Sequence, residues 1–264
     1  MSISEKAYIA NNVIIGDNVV IEDGVYIDYN VIIRDNVHIK RNTHIGARCI
    51  LGEYLADFYQ DNQNKCHPLV IGENSIIRSE SILYGDTVIG NHFQTGHRVT
   101  IREKTVIGNN VKIGTLSDLQ GDCIIEDHVN LHSNVHIGMK STIKKYAWIF
   151  PYVVLTNDPY PPSEQLLGVT VNEYAVIATG SIILPGVNVG QDSLIAAGAI
   201  VTKDVPSMKV YGGNPAKEMC DITKIKNRAT GESVYPWRYT FDRGMPWRNI
   251  GYDKWMAEIL RDNN

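Results

Sequence analysis

An aliphatic residue returns at every sixth position along most of this chain, and no other feature limits its fold so sharply. The series runs from Ile3 through Ile9, Ile15 and Ile21 to Leu51, resumes from Ile71 to Leu155, and returns from Val171 to Val201. Of its 30 slots, 29 hold Ile, Leu or Val, and Thr95 is the exception. Four residues after each slot sits a small or β-branched residue, such as Val13, Ser75, Val129, Ala147 or Ala199. A period of six is neither the 3.6 of a helix nor the alternation of a half-buried strand. It fits a solenoid of triangular coils, in which each six-residue side sends one aliphatic side chain inward and turns a corner on a small one.

Three sides make a coil of eighteen residues, so the runs of 9, 15 and 6 slots are whole numbers of coils, about ten in all. The interruptions near 52–70 and 156–170 are therefore expected to leave the prism at the same corner, five coils apart, or about 24 Å at the inter-strand spacing. Long excursions from a regular scaffold often carry function. The second is stiffened by proline in Asn157-Asp158-Pro159-Tyr160-Pro161-Pro162. Residues 1–206 are read as the solenoid. Residues 207–264 are read as an irregular extension packing on it, with a short helix near Tyr252–Leu260.

Composition narrows the function classes. A net charge of −4 gives no reason to expect nucleic acid or an anionic membrane as partner. No apolar run reaches membrane length, and the N-terminus lacks signal-peptide character. Four cysteines lie far apart without a CxxC pair, with Cys49 and Cys123 in small inward slots. Buried thiols in a reduced compartment, the cytoplasm, are the expectation.

The eighteen-residue arithmetic stacks Arg78, Gly96, Gly114, His132, Phe150, Ala178 and Ala196 into one outward column. Small residues at Ala178, Gly180, Ala196 and Gly198 let a ligand chain lie close on backbone amides. His132 to Ala196 spans three coils, about 14 Å, comparable with an extended pantetheine arm. Arg78, His97, Arg98 and Arg102 are expected to gather on coils four and five, where they would suit a pyrophosphate or another anion. An outward histidine also fits a solvated or interface position, and Glu80 stacks beside Arg98. His136 stacks on Asp118 as an imidazole orienter or a surface pair. His128, His132 and His136 invite a metal reading, but their spacing crosses prism corners, which argues against chelation within one chain.

At these residues the chain resembles the hexapeptide-repeat acyltransferases, left-handed parallel β-helix proteins; the handedness comes from the resemblance alone. The likeness covers about residues 1–217, including Ala178–Val205 and Gly213-Asn214-Pro215-Ala216-Lys217. Phe93–Glu103 (FQTGHRVTIRE) and Asn157–Pro162 (NDPYPP) resemble the subgroup that acetylates dTDP-3-amino-3,6-dideoxyhexoses, and the tail YPWRYTFDRGMPWR is similar to it. The resemblance implies a homotrimer with active sites between subunits and acetyl-CoA along Ala178, Gly180, Ala196, Lys203 and Lys217. A nucleotide-linked amino sugar would meet Arg78, Tyr84, His97, Arg98, Arg102 and Glu103, with His132, Asn157 and Asp158 at the reacting amine and no metal. Members often carry a glutamate where Met139 stands, so no acid–base role is assigned there. An O-acetyltransferase, a user of a longer acyl donor, and a γ-type carbonic anhydrase-like zinc β-helix remain alternatives.

Overall fold

The computed structural model describes residues 1–60 and 67–262. Each aliphatic slot from Ile3 to Val201 closes or lies in a short strand, and the strands stack into three parallel sheets. The first face runs from Ser2–Ile3 to Asn188–Val189. The second runs from Tyr8–Ile9 to Leu194–Ile195, and the third from Ile14–Ile15 to Ile200–Val201. Register follows the count of eighteen, as in Ile113↔Leu131 and Leu119↔Ile137. It becomes twenty-eight across the second loop, where Ile143 pairs with Val171. The architecture is an all-β parallel solenoid, consistent with left-handed winding.

Inward aliphatic residues from successive coils form one continuous core, most of them less than 3% exposed. Cys49 and Cys123 belong to it, and burial pushes each thiol up to about 11. The corners turn on a left-handed residue three places after the inward slot, as at Asn12, Asn110, Gly180 and Gly198. Asn and Gly occupy many of these positions because they adopt positive φ at least cost. Tyr146 (φ 64°) and Tyr174 (φ 61°) are bulky exceptions. Their rings stack 5.1 Å apart at the first-to-second corner.

Those tyrosines anchor the extension. Trp237, Met245 and Trp247 pack with Tyr146, Tyr174 and Val176 in a second apolar cluster, which Trp148, Phe241 and Trp255 border. The Trp237 indole donates to the Tyr174 carbonyl at 2.8 Å. Arg238 ion-pairs with Asp192, whose side chain is 3% exposed, and lies over the Tyr174 ring. The helix spans Tyr252–Asp262, close to the range read from sequence. Two strands among the described residues escape the hexad pattern. Lys209–Gly213 pairs in parallel with Leu194–Ile195, then turns antiparallel onto Ala216–Asp221. Leu194 meets Val210 at a separation of sixteen, so a period of six passes over it.

Both loops leave after a third-face strand and return to a first-face strand, Ile50–Glu53 to Leu69–Ile71 and Val154–Leu155 to Thr170–Val171. They share the third-to-first corner, as the register predicts; residues 61–66 of the first loop lie outside the described residues.

Candidate active site

The outward column holds. Backbone N–H groups of Gly114, His132, Phe150, Ala178 and Ala196 each donate to the carbonyl of the next coil, which fixes them one strand apart on the second-to-third corner. Within it His132 lies flat on Phe150, with ring centroids 4.6 Å apart and planes 17° from parallel. Burial pushes the His132 imidazole below its ordinary 6.5, with no charged partner to oppose the shift. The neutral ring therefore prevails at neutral pH, able to accept a proton or a hydrogen bond.

Two coils toward the C-terminus the corner is bare. Gly180 (φ +72°) and Gly198 (φ +70°) would each place a Cβ in open space, with no heavy atom within 4 Å. Ala178 and Ala196 lie beside them, and Ser181 holds both their carbonyls through its hydroxyl at 2.9 and 3.0 Å. The result is a backbone corner that stands open at Gly180 and Gly198 among the described residues, with the partly buried Ala178 and Ala196 beside it. A narrow ligand arm fits such a corner, because no side chain has to move to admit it.

Asn157 and Asp158 stand on the other edge of the third face. Gly138 lies under Asn157, close enough that a Cβ there would sit 3.1 Å from the asparagine's own Cβ. The Asn157 carbonyl accepts the Leu167 N–H at 2.8 Å and closes the loop at its base. Asp158 accepts the N–H groups of Tyr160 and Ser163 and the Ser163 hydroxyl at 2.9, 2.8 and 2.6 Å. The Ser163 hydroxyl is the main cause holding its carboxyl below the ordinary range. Asp158 is thus an ionised organiser of the loop.

The structure divides the anion-binding set expected on coils four and five. Arg78, His97 and Arg98 follow second-face strands and lie on the second-to-third corner, whereas Tyr84 and Arg102 follow third-face strands. Arg78, His97 and Arg98 thus share one corner, with His97 and Arg98 lining the same cleft, and Arg102 stands beyond the next strand. Arg98 and Arg48 both hold Glu80, and these hydrogen bonds draw its carboxyl down to about 2. Arg102 forks onto its neighbour Glu103 at 2.8 and 3.1 Å, with its guanidinium 5.7 Å from the Tyr84 ring centre. Lys203 lies exposed at the third-to-first corner, and Lys217 on the terminal hairpin pairs with Gly212. The site residues thus sort onto two ridges flanking the third face, with Lys217 beyond the end of the second.

The three histidines part company as their spacing indicates. His128 stacks on Tyr146 at 5.0 Å, His132 on Phe150, and His136 pairs with Asp118 at 3.2 Å. Burial opposes ionisation of Asp118, but hydrogen bonds from His136 and Gln120 outweigh it and lower its pKa. Among the described residues no group of three His, Cys, Asp or Glu side chains converges as a metal site would require.

Thr95 is explained locally. Its hydroxyl accepts the Arg78 backbone N–H at 2.8 Å, a bond that a strand carbonyl accepts at the equivalent place in other coils, such as Gly96 to Ile113. The polar inward residue thus satisfies a backbone donor. Sequence reasoning missed Lys112, Trp148 and Arg243, which share a cleft of about 450 Å³ with Thr95 and His132. The outward column of Gln94, Lys112 and Asn130 was a signal for the floor, but nothing periodic announced the roof.

Residues 104–138 match the family described as bacterial transferase hexapeptide (six repeats). The chain is 34% identical over 94 residues to a 2,3,4,5-tetrahydropyridine-2,6-dicarboxylate N-acetyltransferase of Staphylococcus aureus, covering 36% of this chain and 34% of that protein. It spans about a third of the length of the curated relatives it matches. Among solved structures, LpxA, a UDP-N-acetylglucosamine acyltransferase from Bacteroides fragilis, aligns at 21% identity over 83% of this chain and 74% of that one, with a TM-score of 0.35. PerB from Caulobacter crescentus, crystallised with CoA and GDP-perosamine, aligns at 18% identity over 64% and 78%, with a TM-score of 0.25.

Proposed function

We propose that this hexapeptide-repeat protein is an acetyl-CoA-dependent N-acetyltransferase acting on the amino group of a nucleotide-linked deoxysugar, dTDP-linked by resemblance of its motifs. The observation that carries the reading is the second-to-third ridge. There a backbone corner open at Gly180 and Gly198, with the small Ala178 and Ala196 beside it, leads in register to a neutral, half-buried His132. The corner suits a pantetheine arm, and three coils, about 14 Å, set its thioester beside the imidazole. The match of residues 104–138 to a transferase repeat and the N-acetyltransferase relative support the same class.

The chemistry asks mainly for placement. A neutral amine attacks the thioester carbonyl, the C–N bond forms, the C–S bond breaks, and the departing thiolate leaves with a proton. The protein has to hold nitrogen and carbon about 3–3.5 Å apart and offer backbone donors to the developing oxyanion. His132 orients the amine or takes its proton. Asn157 and Asp158, on the opposite edge of the third face, supply the amine's other contacts. In one chain these groups stand on different ridges. A homotrimer that sets one protomer's second-to-third ridge against its neighbour's third-to-first ridge brings them together, and Lys203 comes with the latter.

A second reading has an observation of its own. A cleft of about 550 Å³ adjoins Phe150, with Trp148, Tyr235, Trp237 and Phe241 on its apolar side and Asn227, Glu232 and Thr240 among its polar lining. It would house a longer acyl chain on the same thioester. Thiol release with acetyl-CoA and longer acyl-CoA donors, across dTDP- and UDP-linked amino and hydroxy sugars, tests both. Release with acetyl-CoA and an amino sugar is expected. Turnover confined to hydroxy sugars, or none with any nucleotide sugar, refutes the main reading.

A further inference from the structure

The cleft on the second face has a composition that the bare ridge does not use. Gln94, Lys112, Asn130 and Trp148 face each other across successive strands in strict register, forming one outward column. The extension folds back over this column, so that Arg243, Gly244 and Met245 close the cleft from the other side. Lys112 reaches the roof, its Nζ 3.9 Å from where a Cβ on Gly244 would stand. His132 belongs to the same wall.

Three properties point to an anion. First, among the described residues no aspartate or glutamate lines the cleft. Second, neither Lys112 nor Arg243 makes an ion pair among the described residues, whereas Arg48, Arg98, Arg102 and Arg238 are each matched to a carboxylate. Third, the Trp148 indole N–H, on the wall shared with the aromatic cavity, is buried and has no acceptor among the described residues. A buried donor without an acceptor is costly and calls for one. Two cations from opposite walls, the Gln94 amide and this indole together suit a group with many acceptor oxygens and more than one negative charge, while the Asn130 amide already donates to the His128 carbonyl at 3.3 Å.

We propose that this cleft binds the diphosphate of the nucleotide-sugar acceptor, clamped between Lys112 on the solenoid and Arg243 on the extension. The extension is then part of the binding site, and Arg243 is a determinant of acceptor affinity. The assignment also relieves a difficulty on the ridge, where Arg98 is already committed to Glu80. It rests on the reading of the chain as a nucleotide-sugar acyltransferase, but its binding component can be measured without turnover.

Calorimetric titration of the intact protein with dTDP, UDP, GDP and inorganic pyrophosphate, with and without saturating CoA, provides the test. Saturable binding that persists with CoA present is expected. Lys112→Ala and Arg243→Ala should each weaken it about tenfold and the double variant about a hundredfold, with CoA affinity and the thermal midpoint unchanged. Lys112 stands on a rigid coil, so its variant keeps the test valid should Arg243→Ala loosen the extension. Absence of diphosphate binding, equal binding by wild type and variants, or loss of CoA affinity instead overturns the proposal. Diphosphate binding that depends on both residues, without acyl transfer to any amino sugar, leaves the subsite standing and removes the proposed activity. Transfer that is indifferent to both substitutions does the reverse.

Discussion

The His132 imidazole rests on the Phe150 ring at 4.6 Å, and burial lowers its pKa below the ordinary 6.5. A histidine so placed can take a proton from an amine, yet nothing orients it as a carboxylate would. We expect His132→Ala to lower kcat about tenfold, below the 10²–10⁴ range of strong general acid–base catalysis, with little change in KM for acetyl-CoA. A fall of about 10⁴ would make His132 an obligatory base. The acid limb of the wild-type pH profile should lie below 6.5, the ordinary imidazole value from which burial lowers it, and should flatten in the variant. The same shift bears on stability with a definite sign. Folding favours the unprotonated ring, so its contribution is complete above 6.5 and lost as pH falls through the lowered folded value.

Glu80 shows the opposite electrostatic design on the same ridge. Hydrogen bonds from Arg48 and Arg98 lower it from an ordinary 4.5 to about 2. A depressed carboxylate stabilises the fold above 4.5 and loses that contribution as pH drops toward 2. Urea midpoints of wild type and Glu80→Gln should therefore differ most above pH 5 and converge toward pH 2. A difference that does not depend on pH would show that the pair is decorative.

Much of this architecture can be read from residues close in sequence. The inward slots, the shared corner of both loops and the column from Arg78 to Ala196 follow from counting, because each coil pairs with the next through identical local geometry. What counting misses is contact between segments that share no period. The extension finds the first-to-second corner through Trp247 on Tyr146, about a hundred residues away in sequence, and through Arg238 on Asp192. Arg243 therefore carries no sequence signal that links it to Lys112. Arg98 and Arg102 stand on either side of the strand Thr100–Ile101 for a related reason, since residues near in sequence turn to different sides of a prism.

The Arg238–Asp192 pair makes attachment of the extension measurable. Asp192 is 3% exposed, and Arg238 is packed against Tyr174, Tyr239 and Tyr252. Arg238→Ala strands a buried carboxylate and should destabilise the protein by about 3–5 kcal/mol. Protection from hydrogen exchange should fall first in residues 235–262. Combining Arg238→Met with Asp192→Asn removes both charges and should recover much of the loss. If the double variant is no better than the single one, packing rather than charge holds the extension.

The open corner predicts a selective effect on the acyl donor. Ala178→Leu adds a side chain where the backbone lies open, on a residue that is only partly buried. The fold should tolerate it within about 0.5 kcal/mol, as surface substitutions usually are. KM for acetyl-CoA should rise about tenfold or more, while affinity for the nucleotide sugar stays unchanged. Calorimetry with CoA separates this from a general loss of activity. An unchanged CoA affinity would move the donor off this ridge.

Thr95→Val tests why one slot of the core is polar. Valine keeps the shape and the buried area but removes the oxygen that accepts the Arg78 N–H. Loss of one such hydrogen bond is worth about 1 kcal/mol, so chemical unfolding should show a destabilisation of that size despite the more hydrophobic core. Thr95 also lines the cleft shared by Lys112 and His132, and a shift of the Arg78 backbone would reach that wall. The variant should therefore raise KM for the nucleotide sugar more than it lowers kcat. Greater stability for Thr95→Val than for wild type would mean that the hydroxyl serves the cleft at the expense of the core. An unchanged KM together with the expected destabilisation would confine its role to the strand ladder.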